Sequence, residues 1–463
     1  METSDVISSL ITRARKAQQE ISSYTQEQID LVCLAAGWEV YHDENIAQLA
    51  ELAVEETGMG NVQDKITKHK NKIFGVLADI RGKPSVGLIE SDPIRGIRKY
   101  AKPVGVVAAL TPVTNPTATP GSNALSILKG RNAVIFAPHP RSKKASALAV
   151  SFMRRGLKRI GAPEDLIQII EEPSVSASIE LMKQADLVLA TGGAAMVKSA
   201  YSSGTPSYGV GPGNAVQIVA EDADIPDAAA KIAASKCFDY ATSCSSENSV
   251  IIHESVYDDM TAELIAQGGH LCTPQQRRAL QNWLWTENVL NPKIIAQSAH
   301  VIAEGAGIFV PEGTRFLMVE GTMPPEEDPF AGEKISPVLT VWKQNSFQEA
   351  FDLLRRITDT SGKGHSCGIH TFNEQYIDYL GEHMPTSRIV VRQPQAAANG
   401  GTFTNGMPST VTLGCGTWGG NITTENISYR HFLNITWLSE PVENHRPSDE
   451  EVFSPLREKA GTV

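Results

Sequence analysis

The 463 residues contain little of what would tie the chain to a membrane, a nucleic acid or an oxidising compartment. No apolar run approaches the ~18 residues that a bilayer-spanning helix needs. The formal net charge is -11, which argues against a phosphate-backbone-binding surface. The start, Met1-Glu-Thr-Ser-Asp-Val6, lacks the basic-then-apolar form of a signal peptide. Six cysteines, at 33, 237, 244, 272, 367 and 415, show no Cys-x-x-Cys pair and no metal-ligand spacing. So few in so long a chain do not make a disulfide framework. These absences predict an acidic, reduced, cytoplasmic protein that takes neither nucleic acid, membrane nor metal as a partner. One more absence concerns nucleotides. No Gly-x-Gly-x-x-Gly follows the first predicted strand, so a dinucleotide would have to bind without the usual fingerprint.

What is present reads as a layered α/β protein. The length allows two or three domains with ample core. Residues 1–90 are helical by pattern, with Val6, Ile7, Leu10, Ile11 and Ala14 at helical spacing. Residues 93–103 read as a short extended ribbon. Apolar runs at 104–110, 133–137, 166–170, 187–190 and 215–220 then alternate with helical stretches. That alternation predicts a parallel sheet covered on both faces, with ligands at the carboxyl ends of its strands. Runs at 308–311, 315–319, 338–342, 368–371 and 388–391 predict a second α/β unit. The expected divisions are 1–240, 241–412, and a 413–463 return with a polar tail from Glu440.

The chemistry points to one cysteine. Cys244 lies in Tyr240-Ala-Thr-Ser-Cys-Ser-Ser-Glu247, among small hydroxyl residues and just before an apolar strand. A structural cysteine usually keeps apolar neighbours, so this setting predicts a thiol at the mouth of a cleft. Thr191-Gly192-Gly193 ends a strand and opens a helix, where free N–H groups can meet an anion; an ordinary turn is the alternative. A Gly/Pro-rich loop at 205–214 carries Gly209 and Gly211.

Several stretches together resemble a known family. They are Thr111-Pro-Val-Thr-Asn-Pro-Thr117, Phe136-Ala-Pro-His-Pro-Arg141, Leu189-Ala-Thr-Gly-Gly193 and Gly209-Val-Gly-Pro-Gly-Asn214. Cys244-Ser-Ser-Glu-Asn-Ser-Val250, Glu333-Lys-Ile-Ser-Pro337, Gly364-His365-Ser366 and Leu413-Gly-Cys-Gly-Thr-Trp-Gly-Gly-Asn421 continue the series. In that order they resemble the CoA-acylating branch of the aldehyde dehydrogenase superfamily, and in particular the aldehyde-oxidising half of bifunctional aldehyde–alcohol dehydrogenases.

The resemblance implies an aldehyde dehydrogenase-like fold with a small oligomerisation ribbon and tail, assembled as a homodimer or homotetramer. It implies Cys244 as the nucleophile that adds to an aldehyde carbonyl. Asn115 would be the side-chain donor to the oxyanion, though a turn residue before Pro116 reads the same way. His365 would assist proton transfer, or else be a hydrogen-bonded structural histidine. For the dinucleotide, NADP or NAD, the implied contacts are Thr111, Pro112, His139, Arg141, Lys144, Thr191, Gly192, Gly193, Gly209, Gly211 and Glu333. The basic residues from Arg141 to Lys144 lean towards NADP, with a solvated helix start as the equal alternative. A glutamate in the loop about 35 residues before the cysteine, which activates water in hydrolytic members, is missing from 209–213. CoA is therefore the expected acyl acceptor.

The hydroxyls around Cys244, Ser243 and Ser245 among them, together with Arg392 predict an anionic group on the aldehyde. A surface ion-pair residue is the alternative reading of Arg392 on the sequence alone. Within the resemblance this points to sulfoacetaldehyde and the product sulfoacetyl-CoA, with acetaldehyde or another short aldehyde as the alternative. Rival readings are a hydrolytic dehydrogenase, an acyl-phosphate reductase, and a non-catalytic protein that kept the fold.

Overall fold

In the computed structural model, residues 3–460 are described. Four helices come first: α1 (Thr3–Glu20), α2 (Gln26–Glu39), α3 (Asp43–Thr57) and α4 (Val62–Ile80). Each boundary has a local cause. Thr25 and Gln28 form a reciprocal capping box at the start of α2, and the Asn61 side chain accepts from the Asp64 N–H at the start of α4. Gly58, in the left-handed region at φ 68°, ends α3. The apolar stripe of α4, Ile73, Val76 and Ile80, is buried in the first core.

An antiparallel ribbon follows, β1 (Gly87–Asp92) and β2 (Ile97–Pro103). Residues 93–96 are its turn, so the expected ribbon at 93–103 begins one strand too late. The first parallel sheet is built from β3 (Val106–Leu110), β4 (Ala133–Ala137), β5 (Ile167–Ile169), β6 (Leu187–Thr191) and β7 (Ser207–Val210), in the order β5-β4-β3-β6-β7. Its crossovers are α5 (Ala118–Lys129), α6 (Lys143–Arg159), α7 (Val175–Gln184) and α8 (Ala194–Tyr201). All residues of β3, β4 and β6 are buried, as a sheet covered on both faces requires.

The second sheet has seven strands, all parallel: β8 (Ala215–Val219), β9 (Glu247–His253), β10 (Gly269–Leu271), β13 (Phe316–Glu320), β14 (Val338–Gln344), β15 (Cys367–His370) and β16 (Ile389–Val391). A two-stranded hairpin, β11 (Trp285–Thr286) and β12 (Val289–Leu290), lies between β10 and β13 in the chain. The sheet order is β10-β13-β14-β9-β8-β15-β16. Finally β17 (Leu433–Ser439) joins the ribbon beside β2, and residues Asp449–Ala460 form a helix.

Five differences from the expectations stand out. The run at 215–220 belongs to the second sheet. The fifth strand of the first sheet is β7, inside the segment expected to be a Gly/Pro loop. The change from one sheet to the other falls between Val210 and Ala215, so α9 (Ile225–Cys237) also covers the second sheet. The run at 308–311 packs in a core without forming a strand, and the polar tail contains a helix.

Candidate active site

The two sheets present opposite ends to one cleft. From the first come the segments that follow strand carboxyl ends. Leu110 pairs with Ala190 of β6, so Thr111-Pro112 and Thr191-Gly192-Gly193 leave side by side where the connections diverge. From the second come segments that precede strand amino ends: Asn214 before β8, Cys244 before β9, Glu333 before β14, His365 before β15 and Arg388 before β16. The first sheet therefore turns strand carboxyl ends to the cleft, the end expected of both sheets, and the second turns amino ends to it.

Cys244 is half-buried and lines a cavity of about 440 Å³ with Asn115, Ser243 and Ser245. The Ser243 and Ser245 hydroxyls lie 3.0 Å apart. His365 is fully buried, with Nε2 3.1 Å from Cys244 Sγ and Nδ1 2.9 Å from the Ser366 hydroxyl. Burial first, then the nearby Glu333 carboxyl, pushes the Cys244 thiol up to about 12. Burial and the Arg388 charge push His365 down to about 3. The resting pair is thus a neutral thiol donating to a neutral imidazole at Nε2, with the Nδ1 proton on Ser366.

The segment before the cysteine is strained. Asp239, Tyr240 and Ala241 have φ of 49°, 51° and 60° in succession. Non-glycine residues in that region cost about 1–3 kcal/mol each. A buried ion network offsets this. The Asp239 carboxylate accepts from Lys65 (3.2 Å), Lys68 (2.6 Å), Thr242 (2.7 Å) and the Asn61 N–H (3.0 Å). Lys68 also donates to Asn115 Oδ1 at 2.9 Å, which fixes the amide orientation and leaves Asn115 Nδ2 as the donor towards a ligand. Lys68 and Lys72 line the cavity too. Neither was anticipated from the sequence, although Lys65, Lys68 and Lys72 stand at i, i+3 and i+7 on α4, the spacing of one helix face.

The loop at 209–213 approaches closely. A β-carbon on Gly213 would fall 1.9 Å from the Cys244 carbonyl oxygen. Only glycine lets the backbones touch there, and the loop carries no carboxylate. Gly209 lies within β7 with its N–H on the Tyr201 hydroxyl at 3.0 Å, and a β-carbon there would strike that ring. Gly211 has open space around it. Glu333 is half-buried and shares a second, small cavity with Cys244 and Lys236; desolvation there pushes its carboxyl up to about 8.

The remaining expected residues divide. Thr111 is buried and its hydroxyl has no partner among the described residues. Thr191 meets the Thr412 hydroxyl at 3.2 Å. His139 Nδ1 accepts the Arg141 N–H. The basic start of α6 is already engaged. Arg141 donates to the Thr57 carbonyl, Lys143 pairs with Glu172, and the Glu56 carboxylate caps the N–H groups of Lys144 and Ala145 at 2.8 and 2.7 Å. Among the described residues the exposed Lys144 ammonium has no such partner, so the lean towards NADP rests on that one side chain. Arg392 does not line the Cys244 cavity. It donates to the Thr371 carbonyl, stacks on Phe372 with 4.6 Å to the ring centre, and lines a separate cavity with Lys231. Its place at the end of β16 explains this: β16 offers its amino end to the cleft, and Arg392 follows the other end.

Among the described residues no helix is long and apolar enough to cross a membrane, and no cluster of metal-ligating side chains is found. Comparison with known proteins accounts for the geometry. The chain is 60% identical over 459 residues, 98% of its length and 95% of the relative's, to a sulfoacetaldehyde dehydrogenase of an Acholeplasma species. It is 58% identical, over 98% of its length and 99% of the relative's, to an acylating sulfoacetaldehyde dehydrogenase of Bilophila wadsworthia. The crystal structure of an acetylating aldehyde dehydrogenase from Geobacillus thermoglucosidasius superposes with a TM-score of 0.93 at 37% identity, covering 96% of this chain and 98% of that one. The pattern of the aldehyde dehydrogenase family matches residues 1–410, and the chain belongs to that family.

Proposed function

We propose that the protein oxidises sulfoacetaldehyde to sulfoacetyl-CoA with NAD or NADP and CoA, through a thioester on Cys244. The observation that carries this is Cys244, 3.1 Å from the buried His365 and lining one cavity with Asn115, beside a 209–213 loop without a carboxylate. Identities of 60% and 58% to sulfoacetaldehyde dehydrogenases support the choice of aldehyde.

The bound dinucleotide supplies a hydride acceptor. The unpartnered, buried Thr111 hydroxyl and the open space at Gly193, at the diverging connections of the first sheet, suit such a ligand. The chain does the rest. His365 Nε2 takes the thiol proton as Sγ adds to the carbonyl carbon, so no free thiolate has to exist beforehand. The developing oxyanion is met by Asn115 Nδ2 and the Cys244 N–H, a pair of fixed donors. Loss of hydride from the thiohemiacetal leaves the acyl group on Cys244. His365 passes that first proton to solvent and then takes the proton of the incoming CoA thiol. The CoA sulfur bonds to the acyl carbon, the bond to Cys244 Sγ breaks, and the cysteine regains a proton.

Water competes poorly for two reasons. The 209–213 loop has no base, and Glu333, the carboxyl in the neighbouring cavity, is mostly protonated at neutral pH. A reduction-coupled assay of several aldehydes with each dinucleotide, with and without CoA, tests the reading. Full-rate release of free acid without CoA would overturn it. Six free cysteines suit a reducing cytoplasm. The exposed apolar side chains of the ribbon, Leu88, Ile94, Ile435 and Trp437, suit a subunit contact in a dimer or tetramer.

A further inference from the structure

The cations near the nucleophile differ in what they have left to give. An ammonium has three N–H donors. Lys68 spends all three, on Asn115 (2.9 Å), Asp239 (2.6 Å) and Thr242 (2.5 Å). Lys65 pairs with Asp239 and does not line the cavity. Arg388 is buried on the Thr424 and Gly414 carbonyls and the Asn426 side chain, away from the cavity wall. Arg392 faces a different cavity, and Lys236 lies in the second, small cavity beside the Glu333 carboxyl, not in the one that Cys244 shares with Asn115.

Lys72 is the exception. It lines the cavity of Cys244 and donates to the Gly400 and Gly401 carbonyls at 2.8 and 3.3 Å, which leaves one N–H. It has no ion-pair partner among the described residues, and no carboxylate lines the cavity. The nearest acidic influence is Asp79, whose carboxylate takes the Ser409 N–H instead. Burial accordingly pushes the Lys72 ammonium down to about 8. A cation held in such a place is costly until a ligand brings the counter-charge.

Position fits as well as charge. Lys72 stands one helical turn beyond Lys68, about 6 Å along the axis of α4. Lys68 holds the amide that meets the carbonyl oxygen. An anionic group one or two carbons from the aldehyde carbon would therefore reach Lys72 while the carbonyl sits at Asn115 and Cys244.

We propose that Lys72 recognises the anionic end of the substrate, the sulfonate of a two-carbon aldehyde, and so sets specificity against uncharged aldehydes. This rests on the reading of the substrate as sulfoacetaldehyde, and two measurements keep the ideas apart. The first compares kcat/KM for sulfoacetaldehyde and acetaldehyde in wild type, Lys72→Met and Lys72→Arg. In Lys72→Met the ratio of the two should fall by about 100-fold, mostly through KM for sulfoacetaldehyde, and Lys72→Arg should restore part of it. The second follows alkylation of Cys244 by 2-bromoethanesulfonate and by 2-bromoethanol, with peptide mapping, and needs no turnover. Wild type should favour the sulfonate reagent by roughly tenfold, and Lys72→Met should lose that preference.

Equal losses on both aldehydes, or an unchanged ratio, would overturn the role of Lys72. So would a labelling preference that survives Lys72→Met. If wild type does not turn over sulfoacetaldehyde but the labelling preference depends on Lys72, the anion site stands and the choice of aldehyde fails.

Discussion

The two sheets contribute to the same cleft in different ways. The first offers strand carboxyl ends, and what it places there is nearly uncharged: Thr111, Pro112, Pro138, Thr191, Gly192 and Gly193, with His139 the one titratable side chain among them. The second offers strand amino ends and buries Lys236, Lys334, His365 and Arg388 behind them, with Glu333 half-buried beside them. A dinucleotide can be held by backbone, shape and helix starts, so its side needs few charges. Moving a proton and stabilising an oxyanion need groups whose surroundings are fixed beforehand. A residue just ahead of a parallel strand, such as Arg388 ahead of Ile389, inherits the rigidity of the first ladder pair.

If that contrast is right, damage to the second sheet's edge should stop chemistry, and damage at the first should shift dinucleotide preference. Cys244→Ala should have the largest effect, abolishing turnover while dinucleotide binding, followed by quenching of protein fluorescence, persists. Unchanged turnover would remove Cys244 as the nucleophile. His365→Ala should lower kcat by about 10²–10⁴. In wild type, alkylation of Cys244 by iodoacetamide should keep rising above pH 9, because the thiolate fraction grows with pH towards a value of about 12. A plateau near pH 7 would mean a thiolate already stabilised by His365. Asn115→Ala should cost about 10²–10³ in kcat, the usual loss for one oxyanion donor.

On the other side, Glu56→Gln should raise kcat/KM for NADP relative to NAD by about three- to tenfold, since a carboxylate at the start of α6 repels a second anion. No shift would place the 2′-position of the dinucleotide elsewhere. Arg392→Ala should change kcat/KM for sulfoacetaldehyde by less than about twofold, as an arginine engaged at the surface contributes little. A larger change specific to the anionic aldehyde would return Arg392 to the substrate pocket.

Much of this was legible in the chain. Cys244 among hydroxyls, the alternation of strands and helices, and the missing base at 209–213 are local properties, readable because period and residue type act over short distances. The lysines of α4 left a weaker signal. Their spacing marks one helix face, but a run of lysines on a helix is ordinarily solvated, and nothing nearby says that this face looks into a cavity. Arg392 failed for the opposite reason: its charge was visible, but the end of β16 that faces the cleft was not.

The sequence by itself singled out Cys244, the layered α/β class and a 209–213 loop without a carboxylate, since each depends on which residues stand next to one another. Tertiary structure alone decided which end of each sheet meets the cleft, that Lys68 rather than a backbone group orients Asn115, and that Lys72 is left without a counter-charge. Those facts depend on contacts between segments hundreds of residues apart, such as Lys72 with Gly400, and no local pattern encodes a contact of that range.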